Sequence, residues 1–279
     1  MIIDSHVHTI REDLLSSDYI FEPEEKQIEK IIFLHNKSCE ALEKSKPLNI
    51  LQSMRESNID KSVIMGLPWV KNVNCQKDND FIYNTILKYP DKFIGYGVIQ
   101  PLETNQAIKE IIRCKSMGFK GIKIIPNWQH YSLDDFEIMD PVMKVIIDND
   151  MILLPHIEHP YRFSRGDMPY NLFNLVKRFP EAKIIASHLG GMLFMYYLYN
   201  HTKKYLDNMY FDMAVSASMS MVKIASEIIP ENNLLFGTDY PFNSCHSQKI
   251  MLDDLFSYNI NEHLLEKYLS KNFQVLIEE

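Results

Sequence analysis

The chain has 279 residues, 46% of them apolar, which is enough to bury a sizeable core in one large domain or two small ones. Its formal net charge of −8 argues against a phosphate-binding surface, because nucleic-acid binding relies on clustered lysine and arginine side chains. The four cysteines form no Cys-x-x-Cys pair, and no apolar run approaches the roughly 20 residues of a membrane span. We therefore expect a cytoplasmic globular protein that binds neither nucleic acid nor a membrane.

Short β-rich runs divide the chain, and most intervals between them are long enough for a helix. Helical spacing is clearest over Gln106–Met117 and Tyr170–Phe179, which end on the turn signals Gly118 and Pro180. Alternating strands and helices over about 250 residues predict an α/β fold, the (β/α)8 TIM barrel, as a single domain over 1–279. The predicted strands are Met1–His8, Ser62–Pro68, Phe93–Pro101, Phe119–Pro126, Met151–Glu158, Lys183–Gly190, Met209–Val215 and Leu234–Pro241.

The first connection, from Thr9 to Asp60, is far longer than one crossover helix requires. It contains the charged stretch Glu22–Lys30 and then a predicted helix near Leu48–Glu56. The loops that follow barrel strands lie at the barrel mouth, where lids and substrate-selecting segments are found. We therefore expect residues 9–60, an insertion together with the first helix, to lie over the mouth.

The first strand carries a candidate metal-binding pattern. Side chains on a strand alternate between faces, so Asp4, His6 and His8 project to the same side. Two imidazoles that close together can share one metal ion. A lone His-x-His is weak evidence, and the pattern gains weight only from the rest of the chain.

Further polar residues occur at the C-terminal ends of later predicted strands, where the active sites of such barrels lie. They are Lys123 on strand four, His156 on strand five, His188 on strand six and Asp239 on strand eight. A single histidine at a strand end is more often structural, but several at one face favour a metal site. Four histidines and one aspartate predict a divalent ion, with Zn²⁺ as the first candidate and Mn²⁺ as the second.

These motifs also resemble the amidohydrolase superfamily. The resemblance rests on Asp-x-His-x-His at 4–8, Gly-x-Lys at 121–123, the histidine of strand five, Ser-His-x-Gly-Gly at 187–191 and Gly-Thr-Asp-Tyr-Pro at 237–241. Within the superfamily they are similar to the amidohydrolase-related family that includes aminocarboxymuconate-semialdehyde decarboxylase and several lactonases and hydrolases. The resemblance implies that His6, His8, His156 and Asp239 are metal ligands. It also implies that His188 is a catalytic acid/base or an additional ligand.

Two charged residues near this centre, Lys123 and Asp4, each have more than one possible role. In binuclear members of the superfamily a strand-four lysine is carbamylated and bridges two metals. An unmodified Lys123, which either anchors a substrate carboxylate or extends its charged end out of the barrel mouth, is favoured here, and with it one ion rather than two. Asp4 either orients a ligand imidazole from the second shell or is a structural carboxylate bonded deeper in the barrel.

Substrate selection is expected from the loops that follow strands two, four and five. Aromatic side chains beside cationic ones suit a small anionic or aromatic substrate, and an arginine could hold a carboxylate through two hydrogen bonds. A loop arginine is nevertheless more often a solvated surface charge. The candidate substrate-binding residues, in addition to Lys123, are Trp69, Trp128, His130, His159 and Arg162.

The leading functional prediction is a metal-dependent hydrolase in which a metal-activated water attacks a small-molecule carbonyl, lactone or amide centre. Asp239 would accept the proton of that water, and His188 would polarise the carbonyl. The alternative is non-oxidative decarboxylation of an aromatic or unsaturated carboxylic acid at the same metal site. A nuclease and a binding protein without chemistry are less consistent with the acidic charge and the candidate ligands. A homodimer is suggested only by analogy.

Overall fold

Parallel strands form one sheet in which the eight neighbours follow chain order from β1 to β8. The computed structural model describes residues 1–16, 18–34, 43–159, 166–214, 219–242, 247–258 and 260–278. Each observed strand lies within or overlaps a predicted one. The strands are β1 (Ile3–His8), β2 (Lys61–Met65), β3 (Phe93–Val98), β4 (Gly121–Ile124), β5 (Ile152–Pro155), β6 (Ile184–Ala186), β7 (Met209–Asp212) and β8 (Leu234–Leu235).

Backbone hydrogen bonds join the two edges of this sheet, between β1 and the segment that follows β8. Ser5 N–H donates to Phe236 O at 3.0 Å, and Asp239 N–H donates to His6 O at 2.8 Å. Parallel strands whose edges meet in this way enclose a barrel with all carboxyl ends at one mouth. The (β/α)8 fold predicted from the sequence is therefore confirmed.

Helices lie between the strands and cover the outside of the barrel. Apolar residues three or four positions apart lie on one face of a helix, so α4 buries Ala107, Ile111 and Cys114, and it ends before Gly118, whose φ is +84°. The α-helices are α1 (Lys26–Leu34), α2 (Pro47–Glu56), α3 (Asn72–Lys88), α4 (Thr104–Ser116), α5 (Phe136–Asp148), α6 (Pro169–Arg178), α7 (Asn200–Lys203), α8 (Met219–Ile228), α9 (Gln248–Ser257), α10 (Glu262–Glu266) and α11 (Asn272–Glu278). Within the described ranges, none of the helices is long and apolar enough to cross a membrane.

Strand alternation separates an outer apolar layer from the barrel interior. Ile122 and Ile124 of β4 belong to the large core between strands and helices, and Lys123 between them therefore lies on the interior face. Val63 and Leu154 belong to a second apolar cluster, which also contains Phe273 of α11. The interior thus combines packed apolar side chains with the buried polar side chain of Lys123.

The long first connection contacts the loop that follows β2. Its short 3-10 turn at Pro23–Glu25 buries the Glu25 carboxylate, which accepts the backbone N–H groups of Val70 and Lys71 at 3.0 Å each. These bonds hold part of the insertion against the carboxyl end of β2. The assignment of 1–279 to a single domain remains a prediction.

Candidate metal centre

Three side chains converge where β1 ends and the segment after β8 turns: His6, His8 and Asp239. Asp239 Oδ1 lies 3.4 Å from His6 Nε2 and 3.3 Å from His8 Nε2. One candidate ligand atom from each residue lies within 4.8 Å of the others. Asp239 has a φ of +57°, so an uncommon backbone conformation directs its carboxylate toward the imidazoles. Two nitrogens and one oxygen are a suitable donor set for Zn²⁺ or Mn²⁺.

The other ring nitrogen of each histidine is hydrogen-bonded away from this cluster. His6 Nδ1 lies 2.9 Å from Asp212 Oδ2, and His8 Nδ1 lies 3.1 Å from Gly66 O. Both oxygens accept hydrogen bonds, which assigns the proton of each neutral ring to Nδ1. The Nε2 lone pairs are then directed at the cluster, as a metal ion requires. The residues present therefore fit a divalent ion.

Charge and burial keep His6 and Asp239 in the protonation states that bind a cation. Burial, followed by the charge of Lys123, lowers the pKa of His6 well below its usual value. Burial alone would raise the pKa of Asp239, but the adjacent His6 and His8 outweigh it and hold this pKa below its usual range. At neutral pH the site consequently combines the neutral His6 imidazole with the ionised Asp239 carboxylate.

Asp212 is a buried carboxylate that the sequence interpretation missed. It is the last residue of β7, and its side chain bonds His6 through Oδ2 and the backbone N–H of His188 through Oδ1, at 2.8 Å. Burial raises its pKa from the ordinary value. Its position at the carboxyl end of a predicted strand, within Met209–Val215, was the available signal.

Asp4 lies deeper in the barrel and bonds the backbone of β1 rather than an imidazole. Its carboxylate accepts the N–H of His6 at 3.2 Å, the N–H and hydroxyl of Thr238 at 3.0 and 2.6 Å, and the amide of Gln248 at 2.8 Å. Burial raises the pKa of Asp4 to about 6 against the effect of these bonds. Because Thr238 precedes Asp239, these contacts connect the backbone at Asp239 to the backbone at His6. Of the two interpretations of Asp4, they favour the structural one.

His156 and His188 form a pair beside the three-residue cluster. His188 Nδ1 lies 3.0 Å from Ala214 O, and its Nε2 lies 3.0 Å from His156 Nδ1. This chain of bonds assigns a donor role to His156 Nδ1 and leaves the His156 Nε2 lone pair for another partner. His156 is absent from the His6, His8 and Asp239 cluster defined among the described residues, so its ligand role remains a prediction.

Burial, followed by the nearby His156, lowers the pKa of His188 to about 3. His188 is therefore a neutral imidazole at neutral pH, with its ring centroid 5.5 Å from that of His6. A neutral ring can accept a proton, which is compatible with the predicted acid/base role.

Lys123 places a cation directly beside the cluster. Its Nζ lies 3.3 Å from His6 Nε2 and 3.2 Å from Ser187 Oγ, and the residue is only 2% exposed. Burial lowers the pKa of this ammonium to about 8, against the opposing effect of Asp239 and Asp212. The side chain consequently lies within the barrel mouth and does not extend to bulk solvent.

The two tryptophans predicted to bind substrate, Trp69 and Trp128, lie in an apolar cluster that also contains residues of the insertion. Trp69 is fully buried, its indole N–H donates to Asp78 Oδ2 at 2.7 Å, and the Arg11 guanidinium lies 5.5 Å from the ring centre. Trp128 is half-buried against the same cluster, which also includes Phe242. Trp69 thus supports the wall of the mouth in this structure and exposes no surface to a substrate.

The remaining substrate-binding candidates are dispersed. His159 is half-buried, with its ring centroid 6.2 Å from that of His188. His130 is exposed, and its Nε2 lies 3.4 Å from the amide nitrogen of Gln27. Arg162 lies outside the described residues. The roles of these side chains in substrate binding remain predictions.

Fold and site together define a barrel protein with a candidate His-His-Asp metal centre. A family model described as amidohydrolase matches residues 3–272. The chain belongs to the amidohydrolase family.

Solved structures of decarboxylases share the fold over nearly the full chain. The 5-carboxyvanillate decarboxylase of Sphingomonas paucimobilis is 15% identical with a TM-score of 0.83, covering 99% of this chain and 98% of the other. The 5-carboxyvanillate decarboxylase of Novosphingobium aromaticivorans, solved with manganese and 4-hydroxy-3-methoxy-5-nitrobenzoic acid, is 17% identical with a TM-score of 0.79, covering 100% and 96%. The dihydroxybenzoic acid decarboxylase of Polaromonas sp., solved with manganese and 2-nitroresorcinol, is 18% identical with a TM-score of 0.78, covering 99% and 96%. At these identities the likeness establishes the fold.

Proposed function

We propose that this chain is a metal-dependent decarboxylase that removes CO2, without oxidation, from an aromatic or unsaturated carboxylic acid. The observation that carries this proposal is the buried cation of Lys123, 3.3 Å from His6 Nε2. An ammonium beside a metal ion can hold and orient the carboxylate that leaves, whereas hydrolysis of a neutral lactone or amide requires no such cation. The similarity of the fold to three aromatic-acid decarboxylases supports the same reaction.

His6, His8 and Asp239 would hold the ion, and His156 is the candidate for a fourth ligand. When bound, the ion attracts substrate oxygen atoms and stabilises the negative charge that develops as CO2 departs. The sequence favoured Zn²⁺, but two of the similar decarboxylases were solved with manganese. Mn²⁺ is therefore the first ion to test, with Zn²⁺ as the second.

His188 and Asp239 would manage the proton that the reaction consumes. Decarboxylation breaks the bond between the carboxyl carbon and its neighbour, and the neighbouring carbon keeps the electron pair and takes up one proton. His188 has a pKa of about 3, and Asp239 has a pKa below its usual range, so both start as bases at neutral pH. Either group can accept a proton from an acidic hydroxyl and return it to carbon. His188 would do so at Nε2, because its Nδ1 is bonded to Ala214 O; the proton would take the place of the hydrogen bond that Nε2 accepts from His156 Nδ1.

Hydrolysis of a carbonyl centre, the leading prediction from the sequence, uses the same residues and is the alternative outcome of the test. Protein reconstituted with Mn²⁺ or Zn²⁺ would be offered hydroxybenzoic acids that carry a second carboxylate, and separately lactones and esters. We expect CO2 release and, in D2O, one deuterium at the carbon that lost the carboxylate, detected by NMR of the product.

Matched variants connect this activity to the site. His8→Ala should lose CO2 release, while His263→Ala, which changes an exposed histidine on α10, should retain it. Lactone or ester hydrolysis without CO2 release would reject the decarboxylase and establish the alternative. A small-molecule substrate, a cytoplasmic location and a homodimer are retained as predictions from the sequence.

A further inference from the structure

Both carboxylate oxygens of Asp212 form hydrogen bonds with residues of the candidate site. The side chain is fully buried at the end of β7. Oδ2 lies 2.9 Å from His6 Nδ1, and Oδ1 accepts the backbone N–H groups of His188 at 2.8 Å and Ala214 at 3.1 Å. One buried carboxylate thus connects a candidate metal ligand to a candidate acid/base residue.

We propose that Asp212 is a positioning residue that sets the His6 tautomer and holds the His188 backbone in place. The proposal rests on the proposed metal-dependent function, since it concerns how the ligand set is prepared for an ion. Its first half follows from the bond to His6, where a carboxylate oxygen stabilises the tautomer with the proton on Nδ1. That tautomer directs the Nε2 lone pair toward Asp239 and the metal position.

The second half follows from the conformation of His188. Its φ is +59°, in the left-handed region that non-glycine residues rarely adopt, and Leu189 follows with a φ of +54°. The N–H group of His188 donates to Asp212 Oδ1, while the ring donates from Nδ1 to Ala214 O, two residues beyond Asp212. The end of β7 therefore holds both the backbone and the ring of His188.

Asp212→Asn separates tautomer control from side-chain shape. Oδ1 accepts two N–H groups, so the amide oxygen of asparagine must occupy that position and its NH2 group must face His6 Nδ1. His6 Nδ1 would then have to accept a hydrogen bond, which moves the ring proton to Nε2 and removes the lone pair from the metal side. We expect a 10–100-fold weaker affinity for Mn²⁺, the range typical of lost outer partners of metal ligands.

The first readout is Mn²⁺ affinity, measured by competition with a chelator for the wild type, Asp212→Asn and a control. Glu110→Gln is the control, because Glu110 is another buried carboxylate and lies on the outer helix α4. It accepts hydrogen bonds from Asn79 of α3 and Arg113 of α4. The control should bind Mn²⁺ as the wild type does. An affinity of Asp212→Asn within twofold of the wild type would overturn the role assigned to the His6 bond.

The second readout needs neither metal nor activity. Long-range proton–nitrogen NMR of protein labelled at histidine nitrogen should show His6 protonated at Nδ1 in the metal-free wild type and at Nε2 in Asp212→Asn. An Nε2 proton in the wild type would overturn the proposal even if the variant failed to fold. If the wild type bound no metal but showed the expected tautomer, the proposed function would fail and the assignment of Asp212 would stand.

The His188 half is tested by rescue. Excess Mn²⁺ should restore much of the activity of Asp212→Asn, because the asparagine oxygen still accepts the His188 N–H. Asp212→Ala retains neither acceptor, so its kcat should remain at least tenfold lower at saturating Mn²⁺. Full recovery of Asp212→Ala at saturating Mn²⁺ would overturn the role assigned to the His188 backbone.

Discussion

The barrel mouth has two unlike sides. One, the metal arc, consists of His6, His8, His188, Asp212 and Asp239 at the ends of β1, β6, β7 and β8. The other, the amide arc, follows β2, β3 and β4 and consists of Trp69, Asn72, Asp78, Gln100 and Gln129. In the metal arc, His8 and Asp239 direct ligand atoms at each other across 3.3 Å, which suits an added cation. In the amide arc, amide groups bond mainly to the backbone of neighbouring loops.

Gln129 illustrates the amide arc. Its side-chain NH2 donates to Trp69 O at 3.1 Å and Ile99 O at 2.6 Å, while its oxygen accepts the N–H of Ile125 at 3.0 Å. One fully buried side chain therefore ties together the loops after β2, β3 and β4. The comparison indicates a division of labour, in which neutral amides shape the mouth and the opposite side carries the proposed metal ligands.

Loss of a metal-arc ligand should have the largest effect. In His8→Ala the cluster loses one of its nitrogens, so we expect metal affinity to fall by more than the roughly 100-fold upper range for outer partners. Elemental analysis of protein purified without chelators should show metal near one equivalent in wild type and almost none in the variant. Two equivalents in wild type would instead support a carbamylated Lys123 that bridges two ions.

His156→Ala tests whether His156 belongs to the metal ligands of the same arc. If His156 Nε2 is the fourth ligand, this variant should also lose its metal while far-ultraviolet circular dichroism stays unchanged. Normal metal content would remove His156 from the ligand set and limit the protein ligands to His6, His8 and Asp239.

Gln129→Leu should break the amide arc without affecting metal binding. The variant loses three buried hydrogen bonds and leaves backbone partners unsatisfied, so the free energy of unfolding should fall by about 3–4 kcal/mol. Urea unfolding measures this change, and exposed Gln52→Leu on α2 is the control for residue type. A loss of metal as large as the loss of stability would contradict the proposed division of labour.

Asp78 gives the amide arc a testable dependence on pH. Burial raises its pKa from 3.8 to about 6 despite the nearby Arg11, so the folded state binds this proton more tightly than the unfolded chain does. The resulting stabilisation is present below pH 3.8 and is lost as pH rises through about 6, a change of about 3 kcal/mol.

Asp78→Asn should remove this contribution. Between pH 4 and pH 7, its free energy of unfolding relative to wild type should therefore rise by about 2.5 kcal/mol, whatever the constant offset from the altered bonds. Urea unfolding at several pH values provides the measurement. A difference that is independent of pH would show that Asp78 does not titrate in this range.

Lys123→Met should produce the smallest effect and a selective one. Removal of the cation is expected to raise KM for carboxylate substrates about tenfold, near the lower limit set by the roughly 1.5–3 kcal/mol that a hydrogen bond to a charged group contributes. Exposed Lys120→Met, three residues earlier, is the matched control and should leave KM unchanged. An equal change for a neutral ester would indicate that Lys123 supports the metal arc and does not bind the carboxylate.

The sequence by itself determined the barrel and much of the metal arc. Strand runs and helix-length intervals predicted eight parallel strands, and every observed strand overlaps its predicted run. His6 and His8 could be placed on one face because the period of a strand is two residues. Asp239 could be added because the carboxyl ends of barrel strands meet at one mouth.

Tertiary structure alone decided which partners these residues have. The bond between His6 and Asp212 spans 206 residues of sequence, and the bonds that bury Trp69 depend on Asp78 of α3 and on Gln129 after β4. Local periodicity predicts the face on which a side chain lies, but it does not identify the donor or acceptor that another strand brings to it. For that reason the sequence did not reveal that Trp69 is buried against Asp78, and it missed Asp212, whose role depends on the barrel bringing the ends of β6 and β7 close to His6 of β1.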